Sequence, residues 1–204
     1  MELSKTTIKK LYGAVVVLFF MLVIAAVPMK KVEAAVPPGI ITINGNVTPQ
    51  SYNDLIYYLN LIDKNDSALM KSFVDNGWKI VLTSEDLNTT KFNGQQPGVQ
   101  GYTDYNGKTI YVQSGSYVYC VLHEMGHYLD FITGNNSMTP NFSMIYNVER
   151  ANLTTYGGMS PSEFFAEVFM YLYLNPGKVT SSCPYAAQYV SYIRMLPAPA
   201  GWYM

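Results

Sequence analysis

The stretch Cys120-Val121-Leu122-His123-Glu124-Met125-Gly126-His127-Tyr128-Leu129-Asp130-Phe131-Ile132 decides how the rest of the chain is read. Leu122, Met125, Leu129 and Ile132 recur at helical spacing and Gly134 follows as a stop, so the pattern over 115–132 predicts a helix. On it His123 and His127 fall one turn apart on one face, where both imidazoles can bind a single zinc ion, and Glu124 projects beside them. A carboxylate in that place can take a proton from metal-bound water, whose pKa the zinc lowers toward neutrality. The apolar stripe buries the opposite face, and the histidines are expected to look into a cleft.

The chain holds only two histidines, so no third histidine can complete the site and a carboxylate is the expected third protein ligand. The best source is Ser160-Pro161-Ser162-Glu163-Phe164-Phe165-Ala166-Glu167. There Glu163 and Glu167 share a helix face, while Phe165, Val168, Phe169 and Leu172 supply the buried one. The same residues also match a capping box, in which Glu163 merely bonds back to the Ser160 amide. Glu167, one turn on, is placed to orient a ligating imidazole. Asp130, three residues after His127, can do the same or stay solvated.

Away from this pair of helices, further helices fit 142–153 and the stretch after Pro184. Upstream, the β-branched run 39–43 reads as a strand. Thr48-Pro49 opens a helix with Leu55, Ile56, Leu59 and Ile62 at helical spacing, and a second helix spans about 66–74 and stops at Asn76-Gly77. A strand over 79–82, a turn-rich loop over 94–98 and a hairpin over 101–112 around Asn106-Gly107 follow. Strands fill the first half and helices the second, an α+β plan with a small mixed N-terminal half and a helical C-terminal half.

With 13 basic and 14 acidic residues among 204, and a net charge of -1, no basic field exists to draw nucleic acid. Like charge gathers near the amino terminus, at Lys5, Lys9 and Lys10, ahead of the uncharged apolar run 11–27. Val32-Glu33-Ala34 then offers small residues at the positions a signal peptidase reads. Residues 1–34 are therefore expected to be an export signal and 35–204 a single domain outside the membrane, with an uncleaved anchor as the alternative. Too few residues separate that cut from the first strand for an inhibitory prosegment, so narrow specificity is expected. The two cysteines, Cys120 and Cys183, can bridge after export or remain core thiols.

Taken together, Leu122-His123-Glu124-x-x-His127-x-x-Asp130, Tyr156-Gly157, Glu163-Phe164-Phe165-Ala166-Glu167-x-Phe169, Tyr171-x-Tyr173-Leu174-Asn175 and Cys183-Pro184 resemble the secreted Pro-Pro endopeptidases of Gram-positive bacteria. These are small relatives of the catalytic domain of anthrax lethal factor. The resemblance is strongest over 119–184, and Pro97-Gly98-Val99-Gln100-Gly101 is similar to the loop leading into that family's substrate-binding edge strand. It implies a zincin-like metallopeptidase domain with one zinc ion per chain. Glu163 would be the third ligand, Tyr156 the hydroxyl that meets the oxyanion, and Gln100, Gly101, Tyr102 and Thr103 part of the strand that binds substrate. It also implies secretion and cleavage between two prolines of a proline-rich surface protein; a monomer is expected. Tyr102, Tyr105 and Phe92 are candidates for an aromatic lining that receives proline rings. Two departures touch substrate contacts: Ser162 stands where the family pattern has an acidic residue, and Thr90-Lys91-Phe92-Asn93 replaces a tryptophan-rich stretch. Competing readings are a zinc peptidase of other specificity, an inactive lethal-factor-like binding module, and a tyrosine-rich surface adhesin. The intact Glu124 speaks against the inactive module.

Overall fold

The structure is a computed structural model that describes residues 36, 37 and 39–196, so the expected export signal, residues 1–34, lies outside the described residues. Four short strands, β1 (Ile41–Asn44), β2 (Lys79–Thr83), β3 (Gly101–Asp104) and β4 (Thr109–Gln113), form one sheet in the order β1-β2-β4-β3. β1, β2 and β4 run parallel, and β3 pairs antiparallel with β4 as an edge. Parallel neighbours need a crossover, and between β1 and β2 it consists of helices α1 (Pro49–Asn65) and α2 (Ser67–Asp75). Register sets Ile80 beside Ile110 and Leu82 beside Val112, all fully buried, so one face of the sheet belongs to the core. Gly101 lies opposite Val112 and Thr103 opposite Ile110, which puts both edge residues on that same face. Tyr102 pairs with Tyr111 on the other.

The hairpin forms where Asn106-Gly107 placed it, but through a four-residue loop, 105–108, in which Lys108 takes the left-handed conformation (φ 47°). The Gly107 amide donates to the Asp104 carboxylate, which sits where a side chain on residue 107 would go.

After α3 (Leu87–Phe92) and the hairpin, the chain is helical: α4 (Cys120–Ile132), α5 (Pro140–Glu149), α6 (Pro161–Leu174), α7 (Pro176–Ser182) and α8 (Pro184–Met195). The α+β plan, with its helical C-terminal half, is thus the observed one. Local chemistry sets the helix starts: the hydroxyls of Thr48, Thr139 and Ser160 each accept an amide of the first turn, and each precedes a proline. α4 begins at Cys120 rather than near residue 115, and α5 starts and stops earlier than the 142–153 pattern suggested. α3 and α7 went unread because each buries a single residue, Leu87 or Val179, too little to show a period.

α4 is buried almost all round, eleven of its thirteen residues, in a core shared with Phe164, Phe165, Val168 and Phe169 of α6. Of the two histidines expected to look into a cleft, His123 lines one, yet both rings are buried. His123 is 5% and His127 9% exposed, because α6 packs against the face that carries them. The two cysteines are free thiols: Cys120 Sγ faces the Gln100 carbonyl and Cys183 Sγ the Glu149 carbonyl.

Candidate metal centre

α4 and α6 cross closely at Gly126. A Cβ there would lie 2.8 Å from the Ala166 Cα, nearer than packed atoms approach, so the absence of a side chain sets the helix separation. The crossing lays the histidines of one helix against the carboxylates of the other. His123 Nε2, His127 Nε2 and Glu163 Oε2 form a triangle with sides of 3.1, 2.9 and 3.4 Å. Ligands about 2.0–2.1 Å from one tetrahedral ion stand about 3.3 Å apart, so the triangle has the size such an ion needs. Two imidazoles and one carboxylate also leave a fourth position open, the donor set of catalytic zinc sites. Among the described residues no other trio of His, Cys, Asp or Glu gathers in this way.

Glu163 makes only half of the capping box. Its amide donates to the Ser160 hydroxyl at 3.1 Å, the forward half of a cap, while its carboxylate turns to the imidazoles instead of back to Ser160. Burial raises the Glu163 pKa, but the two histidines outweigh it and hold the group well below the usual carboxylate range. Burial depresses His123 in turn, yet its bonds to Glu163 and Glu167 and the charge of Glu124 push it up to about 10. Carboxylates on both sides of the His123 ring thus favour its charged form, and the imidazoles favour the charged form of Glu163.

The far sides of the rings are held too. Glu167 Oε1 lies 3.1 Å from His123 Nδ1 and its Oε2 accepts from the Thr154 hydroxyl at 2.6 Å, which itself accepts from the Gly157 amide. A hydrogen held on Nδ1 points Nε2 at the triangle. For His127 the partner of Nδ1 is the Ser162 hydroxyl, at 3.3 Å. Asp130 is hydrogen-bonded to neither ring. Its carboxylate accepts from the amide and hydroxyl of Ser137 and so ties down the turn after α4, which corrects the ring-orienting role considered for it. Thr154 and Ser162 were missed as ring supports because small hydroxyls in loops and first turns carry no signal of their own.

Glu124, 6% exposed, faces β3: the Thr103 hydroxyl donates to its Oε2 at 2.7 Å, and Gly101 adjoins its Oε1. Tyr156 is half exposed, with its ring centroid 5.5 Å from that of His123. Burial, then the charges of Glu163 and Glu124, raise its pKa, so its phenol keeps its hydrogen. A groove of about 1030 Å³ opens beside His123, Glu124 and Tyr156 and includes Gln100 and Gly101 in its wall. Besides Tyr156 its aromatic lining is Tyr58, Tyr117, Tyr119 and Tyr171, and the expected Phe92, Tyr102 and Tyr105 are not part of it. Tyr102 packs on Phe92 and Tyr111 across the sheet from Glu124, and Tyr105 packs on Phe131. Strand alternation was the available signal: if Gly101 and Thr103 face the helix, Tyr102 cannot.

The family model for the anthrax toxin lethal factor, N- and C-terminal domain, matches residues 40–194. A Pro-Pro endopeptidase of Clostridioides difficile is 31% identical over 138 residues, which cover 61% of this chain and 56% of that protein. The chain thus spans little more than half the length of this relative. The solved structure of a Pro-Pro endopeptidase from Paenibacillus alvei superposes with a TM-score of 0.60 at 18% identity, over 76% of this chain and 97% of the other, a likeness of fold.

Proposed function

Because the chain belongs to the family of the anthrax toxin lethal factor N- and C-terminal domain, we propose that it is a zinc-dependent endopeptidase with His123, His127 and Glu163 as metal ligands and Glu124 as general base. The observation that carries this reading is the triangle of ligand atoms, whose His123 lines one groove together with Glu124. Zinc, when bound there, supplies a Lewis acid that polarises the scissile carbonyl and acidifies water. Glu124 takes the proton from the attacking water and returns it to the departing nitrogen. Tyr156 donates its hydroxyl hydrogen to the carbonyl oxygen as charge develops there. Glu167 and Ser162 keep the two imidazoles turned inward.

For the substrate we propose a proline-rich protein cut between two prolines, the activity named for the Clostridioides difficile relative. A bond to proline has no amide hydrogen, so strand pairing alone would lose a contact there, and shape has to select. Consecutive prolines hold a stiff extended conformation with little ordering cost, and aromatic walls receive their rings. Tyr58, Tyr119 and Tyr171 offer such walls, and no lysine or arginine among the described residues lines the groove. A library randomised around a central Pro-Pro bond, run beside Ala-Ala and Leu-Ala libraries, should be cut preferentially at Pro-Pro. Preference for the non-proline bonds would sink the specificity and spare the peptidase. On the cleaved peptides Tyr156→Phe should lose about a hundredfold in kcat, and an unchanged rate would make Tyr156 a packing residue.

We place the enzyme outside the cell as a monomeric domain, residues 35–204, freed from a signal at 1–34. Among the described residues no helix is long and apolar enough to cross a membrane. The mass and gel-filtration volume of the chain recovered from culture medium check this: a mass including residues 1–34, or a dimer's elution, would refute it.

A further inference from the structure

Glu124 is bounded on two sides by one edge strand. Thr103, 5% exposed, donates from Oγ1 to Glu124 Oε2 at 2.7 Å and lies 3.4 Å from the Glu124 carbonyl oxygen. Two residues back on the same face of β3, Gly101 leaves the space the carboxylate fills. A Cβ there would meet Oε1 at 2.6 Å, Cγ at 2.9 Å and Cδ at 3.0 Å. β4 holds both residues in register, with Gly101 opposite Val112 and Thr103 opposite Ile110, each partner fully buried. A glutamate side chain free of such contacts has several staggered rotamers open to it. A fixed donor at one oxygen and bare backbone beside the other select one of them.

We propose that Gly101 and Thr103 are positioning residues for the base, so that the edge strand aims Glu124 as well as lying along the substrate groove. The proposal rests on the reading of Glu124 as general base. It differs from a substrate-contact role for β3 in what it predicts: misplacing the base lowers kcat, whereas losing a substrate contact made equally in ground and transition states raises KM.

Three variants of the zinc-loaded protein test it. Thr103→Val keeps the shape and removes the donor, Thr103→Ser keeps the donor, and Gly101→Ala drives a methyl group into the carboxylate. The carboxylate is the far end of a flexible side chain, so it should swing aside at little cost to the fold. For Thr103→Val and Gly101→Ala, kcat should fall about 30- to 100-fold, the loss expected of a reacting group displaced by about 1 Å. KM, zinc content and melting temperature should stay close to those of the unaltered protein, and Thr103→Ser should recover most of the loss. Crystal structures should show the Glu124 carboxylate displaced in the Val and Ala variants and in place in the Ser variant. Full kcat in Thr103→Val and Gly101→Ala, a change confined to KM, a Ser variant as poor as the Val variant, or an unmoved carboxylate would each overturn the proposal. If the unaltered protein cleaves no peptide, the hydrolase reading fails, and the carboxylate positions alone still decide whether β3 aims Glu124.

Discussion

Glu124→Gln should leave zinc bound and the fold intact while hydrolysis falls by about 10²- to 10⁴-fold. The amide has the shape of the carboxylate, and its oxygen can still accept from Thr103, so the contacts that hold residue 124 survive. Only the basicity is lost. Glu124 is 6% exposed, so replacing it also removes a buried charge and should not weaken the core. Turnover, zinc content and melting temperature measured on one preparation decide the matter. Comparable turnover in the variant would remove Glu124 from the role of base.

Glu163→Ala should strip the metal. Its carboxylate is the one oxygen donor of the triangle, and two imidazoles alone leave the ion short of the three protein ligands that catalytic sites use. Zinc affinity should fall by more than the roughly 10- to 100-fold expected for Glu167→Ala, which loses only the support behind His123. The cap reading predicts something different. The bond from the residue 163 amide to the Ser160 hydroxyl survives the substitution, so a capping role alone would cost at most about 1 kcal/mol of stability and leave zinc in place. Zinc titration of both variants beside their melting curves separates the two, and full zinc content in Glu163→Ala would sink the ligand assignment.

Much of this site was legible because its residues obey two periods at once. His123, Glu124 and His127 stand out against the apolar repeat Leu122, Met125, Leu129, and the Phe-rich repeat after Glu163 marks the partner helix just as clearly. What could not be read from one dimension was which of two roles Glu163 takes, since a cap and a ligand both ask for a glutamate at the third position of a helix. The crossing at Gly126 and Ala166 brings the imidazoles within reach of its carboxylate, the placement the ligand reading asks for. The groove lining was read wrongly for another reason. With 18 tyrosines in the chain, aromatic character carries no address, and the walls come from α1, the approach to α4, and α6, elements far apart in sequence. Asp130 misled because proximity to His127 along the helix suggested a partner, whereas the turn at Ser137 offers two donors to the same carboxylate.

The burial of α4 on nearly every side has a consequence for how the two walls of the groove respond to a ligand. Amide hydrogens in a helix with eleven of thirteen residues buried exchange with solvent through opening of the whole core, at the full free energy of unfolding. Another part of the groove wall, residues 95–98, is exposed throughout and should exchange through local opening at a small fraction of that energy. Induced fit is thereby confined to one side. The rim can adjust to the sequence that flanks a scissile bond, while the groups on α4 stay at fixed coordinates, so substitutions in 95–98 can retune substrate preference without moving His123, Glu124 or His127.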